Sequence, residues 1–577
     1  MASHPATYGA LPPQRVPGER RSAQARARQR LVCLLLLFLC VPVVIGVRLV
    51  DLAVFDGPPP PRRLASNAPP RADIVDRNGV LLAHNFEAYA VQVEQANLAG
   101  DPRVLAGRIA EILTDRSAAD IYAALTQRDK FGYIARRVLP AEAKRINDLG
   151  EPGIRLRREA ERVYPNFNLA AHLIGYGSDQ GVGTVGVEKS FDARLADRTQ
   201  SNTPVMLSMD VRAQQALEHE LRALYIDQSA KGAAGIILDV DTGEIIAMTS
   251  LPDFNPNAPG KRPDGERYDK TKDEAALNKV VQGRYELGST FKALTIASGL
   301  NTGILKSLDQ TYDATQPMHV AGFTIHDDHP LNRWLNVPDI FIHSSNIGTA
   351  RIALEVGREN QRAMLEQLGF FERVNIELPE RIKPQFPPLS NWGTLATMTI
   401  SYGHGISVSP LHLANAYATL VNGGIYRDPT VLKRAPGTVP AGRRVFTSAT
   451  SDTMRKLLRL VVTDGTGRRA NAPGYRVGGK TGTAEKNVGR GYSGNSNIST
   501  FAAAFPMDAP RYVIIAMVDD PRGSKESAGF KTAGMVVAPA VGRIVTRIAP
   551  ILGVKPEPGK DLDLSALRPN LTDAPKD

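Results

Sequence analysis

The sequence predicts an α+β catalytic domain, an antiparallel sheet flanked by helices, standing on a mixed α/β unit behind one N-terminal transmembrane helix. Three observations predict it. A charge-free apolar run opens the chain, paired apolar strand patterns stand near residues 232–250 and 500–520, and helical patterns fill the interval between them. Strands at both ends with helices between require a sheet that unites distant segments.

The apolar run is LVCLLLLFLCVPVVIGV, seventeen residues from Leu31 to Val47 without a charge. Counting through Val50 gives a span 31–50 of about 30 Å of helix, enough to cross the hydrocarbon of a bilayer. Arg48 can snorkel to the far interface, and Pro42 can kink the helix without breaking the span. A buried core helix would show a polar face, and a cleaved signal peptide would be shorter with small residues at its end. Before the run, Arg15, Arg20, Arg21, Arg26, Arg28 and Arg30 face a single acid, Glu19. Residues 1–30 are therefore expected to be a cytoplasmic basic tail, with everything after residue 50 outside the membrane.

That leader accounts for +5 of the formal charge of +11. The remainder is spread over the rest of the chain with no basic stripe interleaved with aromatics, which argues against nucleic acid as a partner. Both cysteines, Cys33 and Cys40, fall inside the apolar run. The body thus has no disulfide and no cysteine metal site, and no cofactor or metal is expected.

Beyond the anchor, GPPPPRRLASNAPP (57–70) is a Pro-rich, extended spacer. It opens a unit at 51–204 of mixed short strands and helices. From Leu207 the pattern becomes regular. LSMDVRAQQALEHELRALYIDQ reads as an amphipathic helix, and GAAGIILDVDTGEIIAMTS as a hairpin turning at Asp241-Thr242-Gly243. TFAAAFP and YVIIAMVDD read as two further buried strands, completing a catalytic domain over 205–554. The remainder, 555–577, is Pro-rich and polar and is expected to be disordered.

Three short motifs carry the chemistry. In YELGSTFKALTIASGL, Ser289 follows a glycine at the start of a helical pattern, with Lys292 one turn on and on the same face. A lysine there can take the serine proton if burial and a second nearby cation depress its pKa. The plainer alternative is an N-capping serine with an exposed lysine. In DIFIHSSNIGTARIAL, the hydroxyl of Ser344 and the amide of Asn346 are placed to relay a proton and orient a peptide. In YRVGGKTGTAEK, the glycines around Lys480 and Thr481 allow a ligand backbone to approach a strand, and the hydroxyls of Thr481 and Thr483 can bind a carboxylate. The alternative here is an edge strand guarded by a lysine.

Singly these signals are weak. Together, Ser-x-x-Lys, Ser-x-Asn and Lys-Thr-Gly form the ordered set used by serine acyl-transferases acting on penicillins and D-alanyl peptides.

The chain resembles the class B penicillin-binding proteins from the anchor to about residue 550. The N-terminal unit carries matching markers: Arg71 to Gly79, then Arg162, Tyr164, Pro165, His172 and Gly175, then Gly183, Gly186 and Glu188. Read as residues alone, these are turn and salt-bridge positions. The resemblance implies a penicillin-binding transpeptidase fold on a non-catalytic, dimerisation-type pedestal. It implies that Ser289 attacks the penultimate D-Ala carbonyl of a stem peptide and that Lys292 takes its proton. Ser344 and Lys480 pass a proton to the leaving amine, and Asn346 holds the substrate amide. Thr481, Gly482 and Thr483 bind the terminal carboxylate, and the backbone N–H groups of Ser289 and Thr483 form the oxyanion hole.

Within the class, SYGHGISVSPLHLANAYATLVNGGIYRDP and HDDHPLNRWLNVPDIFIHSSNIGTARIAL look most like the septal, cell-division type, with the elongation type as the nearest alternative. Expected partners are D-Ala-D-Ala stem peptides, β-lactams, a separate membrane glycosyltransferase and other division proteins. A β-lactamase shares the motifs but is a smaller secreted protein that turns penicillin over. A carboxypeptidase releases D-Ala without cross-linking, and a non-catalytic division scaffold would not need Ser289.

Overall fold

The computed structural model describes residues 71–567 apart from 128–131, 179, 262–266, 268, 270–272 and 488–491, together with positions 38, 40, 42 and 43. The basic tail, the spacer 57–70 and residues 568–577 lie outside the described residues, as does the expected span 31–50 but for those four positions.

The first sheet contains β1 (Ile74–Val75), β2 (Leu81–Val93), β3 (Gly132–Val138), β4 (Ile154–Val163) and β5 (Val205–Met206). The long β2 is its axis, pairing antiparallel with β1, β3 and β4, while β5 runs parallel to β1. Helices α1 (Pro102–Ala110), α2 (Ala118–Thr126) and α3 (Pro140–Asn147) bury Leu105, Ile109, Ile121, Leu125 and Ile146 against Val91, Val93 and Ile134. Asp101 and Ser117 begin α1 and α2 by accepting backbone N–H bonds that the first turn leaves unpaired.

The N-terminal sequence markers are structural here. Glu188 is fully buried and accepts from Arg71 at 3.0 Å, Arg162 at 2.7 Å and the Tyr164 hydroxyl at 3.3 Å. One buried carboxylate between two guanidiniums ties three distant segments together. Asp76 accepts from the backbone of Asn78, Val80 and Val211, fastening the first sheet to α4 (Val211–Asp227).

The second sheet is wholly antiparallel. It contains β6 (Gly232–Asp239), β7 (Ile245–Leu251), β8 (Gly478–Asn487), β9 (Tyr492–Phe505) and β10 (Tyr512–Asp519), in the order β8-β9-β10-β6-β7. The expected hairpin is β6–β7, and the two late strands insert beside it. Alternation sorts the side chains into two cores. Val513, Ile515 and Met517 of β10 pack on one face with helices α5 (Lys292–Asn301), α6 (Asn346–Gln367), α7 (Pro410–Val421) and α8 (Ser448–Thr463). Tyr512, Ile514, Ala516 and Val518 pack on the other with α4 and α9 (Ala533–Ile551). Because both faces are covered, these strands read in sequence as unbroken apolar runs.

Among the described residues, α9 is the one helix long and apolar enough to cross a membrane. Its Val537, Val541, Ile544, Val545 and Ile548 are fully buried or nearly so in the second core, where they pack on the sheet.

One expectation is corrected. Residues 555–567, assigned from composition to a disordered tail, lie against the catalytic unit. Asp561 accepts from Arg459 at 2.5 Å, Glu557 from Arg476 at 2.7 Å, and Leu564 and Leu567 are buried. Arg459 and Arg476 are themselves buried; the tail supplies the carboxylate on Arg459 and a second one on Arg476, which also pairs with Asp508 at 2.6 Å. Composition misses this because the partners lie about a hundred residues away.

Candidate active site

Ser289 sits on a single 3₁₀ turn, Gly288–Phe291, that feeds directly into α5. With three residues per turn, positions i and i+3 eclipse, so Ser289 and Lys292 share one face more closely than in an α-helix. The turn is wedged from two sides. Gly288 adopts φ +55°, and a Cβ there would meet the Thr483 carbonyl at 2.8 Å. Gly482 backs onto the same turn, where a Cβ would lie 2.4 Å from the Leu287 carbonyl. Strand β8 and the nucleophile turn therefore approach backbone to backbone, which only glycine permits. The turn is also held from behind, by Tyr417 of α7 donating to the Thr290 carbonyl at 2.8 Å.

Ser344 lies in the bend before α6 with φ +60°, a left-handed conformation disfavoured for serine. That bend turns its hydroxyl between two amines: Lys292 Nζ donates to Ser344 Oγ at 3.1 Å and Lys480 Nζ at 2.9 Å. Lys292 also donates to the Ser344 carbonyl. Both lysines have 0% relative exposure, which excludes the exposed-lysine alternatives for the first and third motifs.

Burial governs the electrostatics. It pushes the Lys292 amine down to about 8, against the pull of Asp327 and Asp328 in the other direction. Burial and then the charge of Lys292 hold the Lys480 amine well below its ordinary range. Two ammonium groups on one hydroxyl repel, so one proton between them is the favoured state. His404, beside Tyr402 at 5.4 Å between ring centroids, is kept below the usual imidazole range by burial, with Lys292 adding to it.

The carboxylate end of the cleft lies along β8. Thr481 Oγ1 is 2.8 Å from Thr466 Oγ1. Thr483 Oγ1 accepts from the backbone N–H of Ala533 at the start of α9, which leaves the hydroxyl proton for donation outward. The positive end of α9 reinforces an anion-binding character there. Asn346 begins α6, and its side-chain amide donates to the His326 carbonyl at 3.0 Å.

Ser289, Lys292, Ser344, Asn346, Lys480, Thr481, Gly482 and Thr483 are thus drawn to one place from three far-separated stretches. Three residues escaped the sequence reading. Asp327 caps α6, Thr466 pairs with Thr481, and Tyr417 braces the nucleophile turn. The flanking glycines of Thr466 and the paired acids Asp327-Asp328 were visible in the sequence, but no spacing rule connects them to the motifs.

Comparison with known proteins gives the family of both units. Residues 233–542 match the penicillin-binding protein transpeptidase domain, and 66–206 match the penicillin-binding protein dimerisation domain. The chain belongs to the class B penicillin-binding proteins. It is 39% identical over 498 residues to the probable peptidoglycan D,D-transpeptidase FtsI of Caulobacter vibrioides, covering 84% of this chain and 82% of that one. It is 29% identical over 537 residues to the peptidoglycan D,D-transpeptidase FtsI of Escherichia coli K12, covering 88% of each. In three dimensions it is similar to penicillin-binding protein 3 of Mycobacterium tuberculosis complexed with aztreonam. There the TM-score is 0.65 at 25% identity, covering 85% of this chain and 98% of that one.

Proposed function

We propose that this class B penicillin-binding protein is a septal peptidoglycan D,D-transpeptidase working through an acyl-enzyme on Ser289. The observation that carries the reading is the Ser344 hydroxyl held between Lys480 and Lys292, the latter one 3₁₀ turn on from Ser289. The septal assignment is supported by the relatives named FtsI.

In this mechanism the neutral amine of Lys292 takes the Ser289 proton as Oγ attacks the penultimate D-Ala carbonyl carbon. The N–H groups of Ser289 and Thr483 stabilise the oxyanion, a contribution of about 3 kcal/mol per donor for sites of this type. When the C–N bond breaks, the proton passes from Lys292 through Ser344, assisted by Lys480, to the leaving nitrogen, and D-Ala departs. The amine of a neighbouring stem then attacks the ester carbonyl, its proton passing by way of Lys292 to Ser289 Oγ as the ester C–O bond breaks, which frees the serine and leaves the amide cross-link. Asn346 orients the donor amide, and Thr481 and Thr483 grip the terminal carboxylate. The segment 51–204 serves as pedestal, 31–50 as a single anchor with the N-terminus inside, and a membrane glycosyltransferase and division proteins as partners.

A tagged penicillin tests the reading. Wild type is expected to form a long-lived covalent adduct and, with stem peptides, to release D-Ala together with cross-linked dimer. A Ser289→Ala protein that still labels overturns the nucleophile. Rapid turnover of penicillin points to a β-lactamase instead.

A further inference from the structure

The left-handed conformation of Ser344 needs something to hold it, because an L-residue there is disfavoured by about 1–2 kcal/mol. The residues immediately after it are pinned. Ser345 N–H donates to the Ile340 carbonyl at 2.9 Å. Three further groups converge on one carboxylate from another segment: Ser345 Oγ donates to Asp327 Oδ2 at 2.8 Å, and Asn346 N–H and Ile347 N–H donate to Asp327 Oδ1 at 2.6 and 3.0 Å.

Asp327 is buried, and the residue before it offers its carbonyl to the Asn346 side chain. The segment leading to it comes off the short hairpin Met318–Val320 and Phe323–Ile325. A capping carboxylate normally belongs to the helix it caps or to its immediate neighbour. Here it arrives from nineteen residues upstream, and it fastens a separate strap to the corner that presents Ser344 and Asn346.

We propose that Asp327 is a positioning residue of the acyl-transfer site, latching the 326–328 strap onto the first turn of α6 so that Ser344 stands between the two lysines and Asn346 faces the donor peptide. The inference rests on the transpeptidase reading. It extends beyond geometry, because the charged and titratable groups facing Lys292 are Lys480 from β8, Asp327 and Asp328 from the strap, and His404 from the 402–405 turn. Asp327 therefore also holds part of the negative charge that opposes deprotonation of Lys292.

The test compares Asp327→Asn, Asp327→Ala and Ser345→Ala with wild type in the full-length protein. It measures the second-order rate of acylation by a labelled penicillin from pH 6 to 10 and normalises to titrated active sites and melting temperature. Loss of the latch in Asp327→Ala is expected to slow acylation about 100-fold, the size of effect seen when a reacting group is misplaced by about an ångström. Asp327→Asn keeps the shape but not the charge. It is expected to retain part of the rate and to move the acidic limb of the profile to lower pH by about half a unit or more. Ser345→Ala, which removes one of the three bonds to Asp327 and the cap on the Gly348 N–H but no charge, should slow acylation without moving the limb. An Asp327→Asn protein with the rate and limb of wild type overturns the proposal, as does a rate loss that vanishes on normalising to folded sites with the limb unmoved. Ser289→Ala run alongside separates the cases: labelling of that variant defeats the transpeptidase reading itself.

Discussion

The amine of Lys480 lies 2.9 Å from the hydroxyl of Ser344, 136 residues earlier in the chain. Lys292 meets the same hydroxyl from the opposite motif. One serine thus couples two buried amines, and the site's acid–base behaviour belongs to the trio rather than to any single lysine.

The first consequence is a pH profile. With Lys292 as the proposed base, acylation requires it without its proton, and burial brings that amine down to about 8. The base is then mostly neutral above pH 8 and mostly charged below it. The acylation rate should be flat in the alkaline range and fall about tenfold per unit as pH drops below the limb. Stopped-flow acylation across pH 6–10 checks this.

Lys292→Met should leave the fold intact, because the new side chain is apolar and of similar length in a fully buried position. Acylation should drop by about a thousandfold, within the range for loss of a general base. A near-normal rate would shift the base role to Lys480.

Gly482→Ala tests the close approach of β8 to the nucleophile turn. Its Cβ would sit 2.4 Å from the Leu287 carbonyl, so strand and turn must separate. The N–H groups of Ser289 and Thr483 would part with them. Acylation should fall about 100-fold or more. Gly553→Ala is the control, since a Cβ there meets nothing within 4 Å and only the φ of +73° is affected.

In the pedestal, Glu188→Gln removes the charge between Arg71 and Arg162 while keeping the shape. Arg71 keeps Asp192 at 2.7 Å, whereas Arg162 loses its carboxylate, and breaking a buried pair from one side costs about 3–5 kcal/mol. Thermal unfolding should show the loss. Penicillin labelling per folded molecule should not change, because these residues sit in the first unit and not in the cleft.

Truncation after residue 554 should also destabilise the catalytic unit. It strips Asp561 and Glu557 from Arg459 and Arg476, both buried. Calorimetry of the truncated protein would show a lowered melting temperature, and Asp561→Asn should reproduce part of it.

Much of this was written locally. Alternation and apolar runs marked β6, β7, β9 and β10, and the amphipathic pattern from Leu207 marked α4, because strand and helix periodicity are properties of neighbouring residues. The order of three motifs named the chemistry of Ser289, Lys292, Ser344 and Lys480 without any geometry. What stayed hidden was whatever depends on contact across the fold. The burial of both lysines, which depresses their amines, comes from α5, β8 and the bend carrying Ser344 meeting in space. Asp327 reaches α6 from another segment, and the tail carboxylates answer arginines about a hundred residues away. Local sequence fixes which elements form and which groups they carry. Only tertiary packing decides which groups lose water and which charges face one another, because desolvation and Coulomb interaction depend on distance in space and not along the chain.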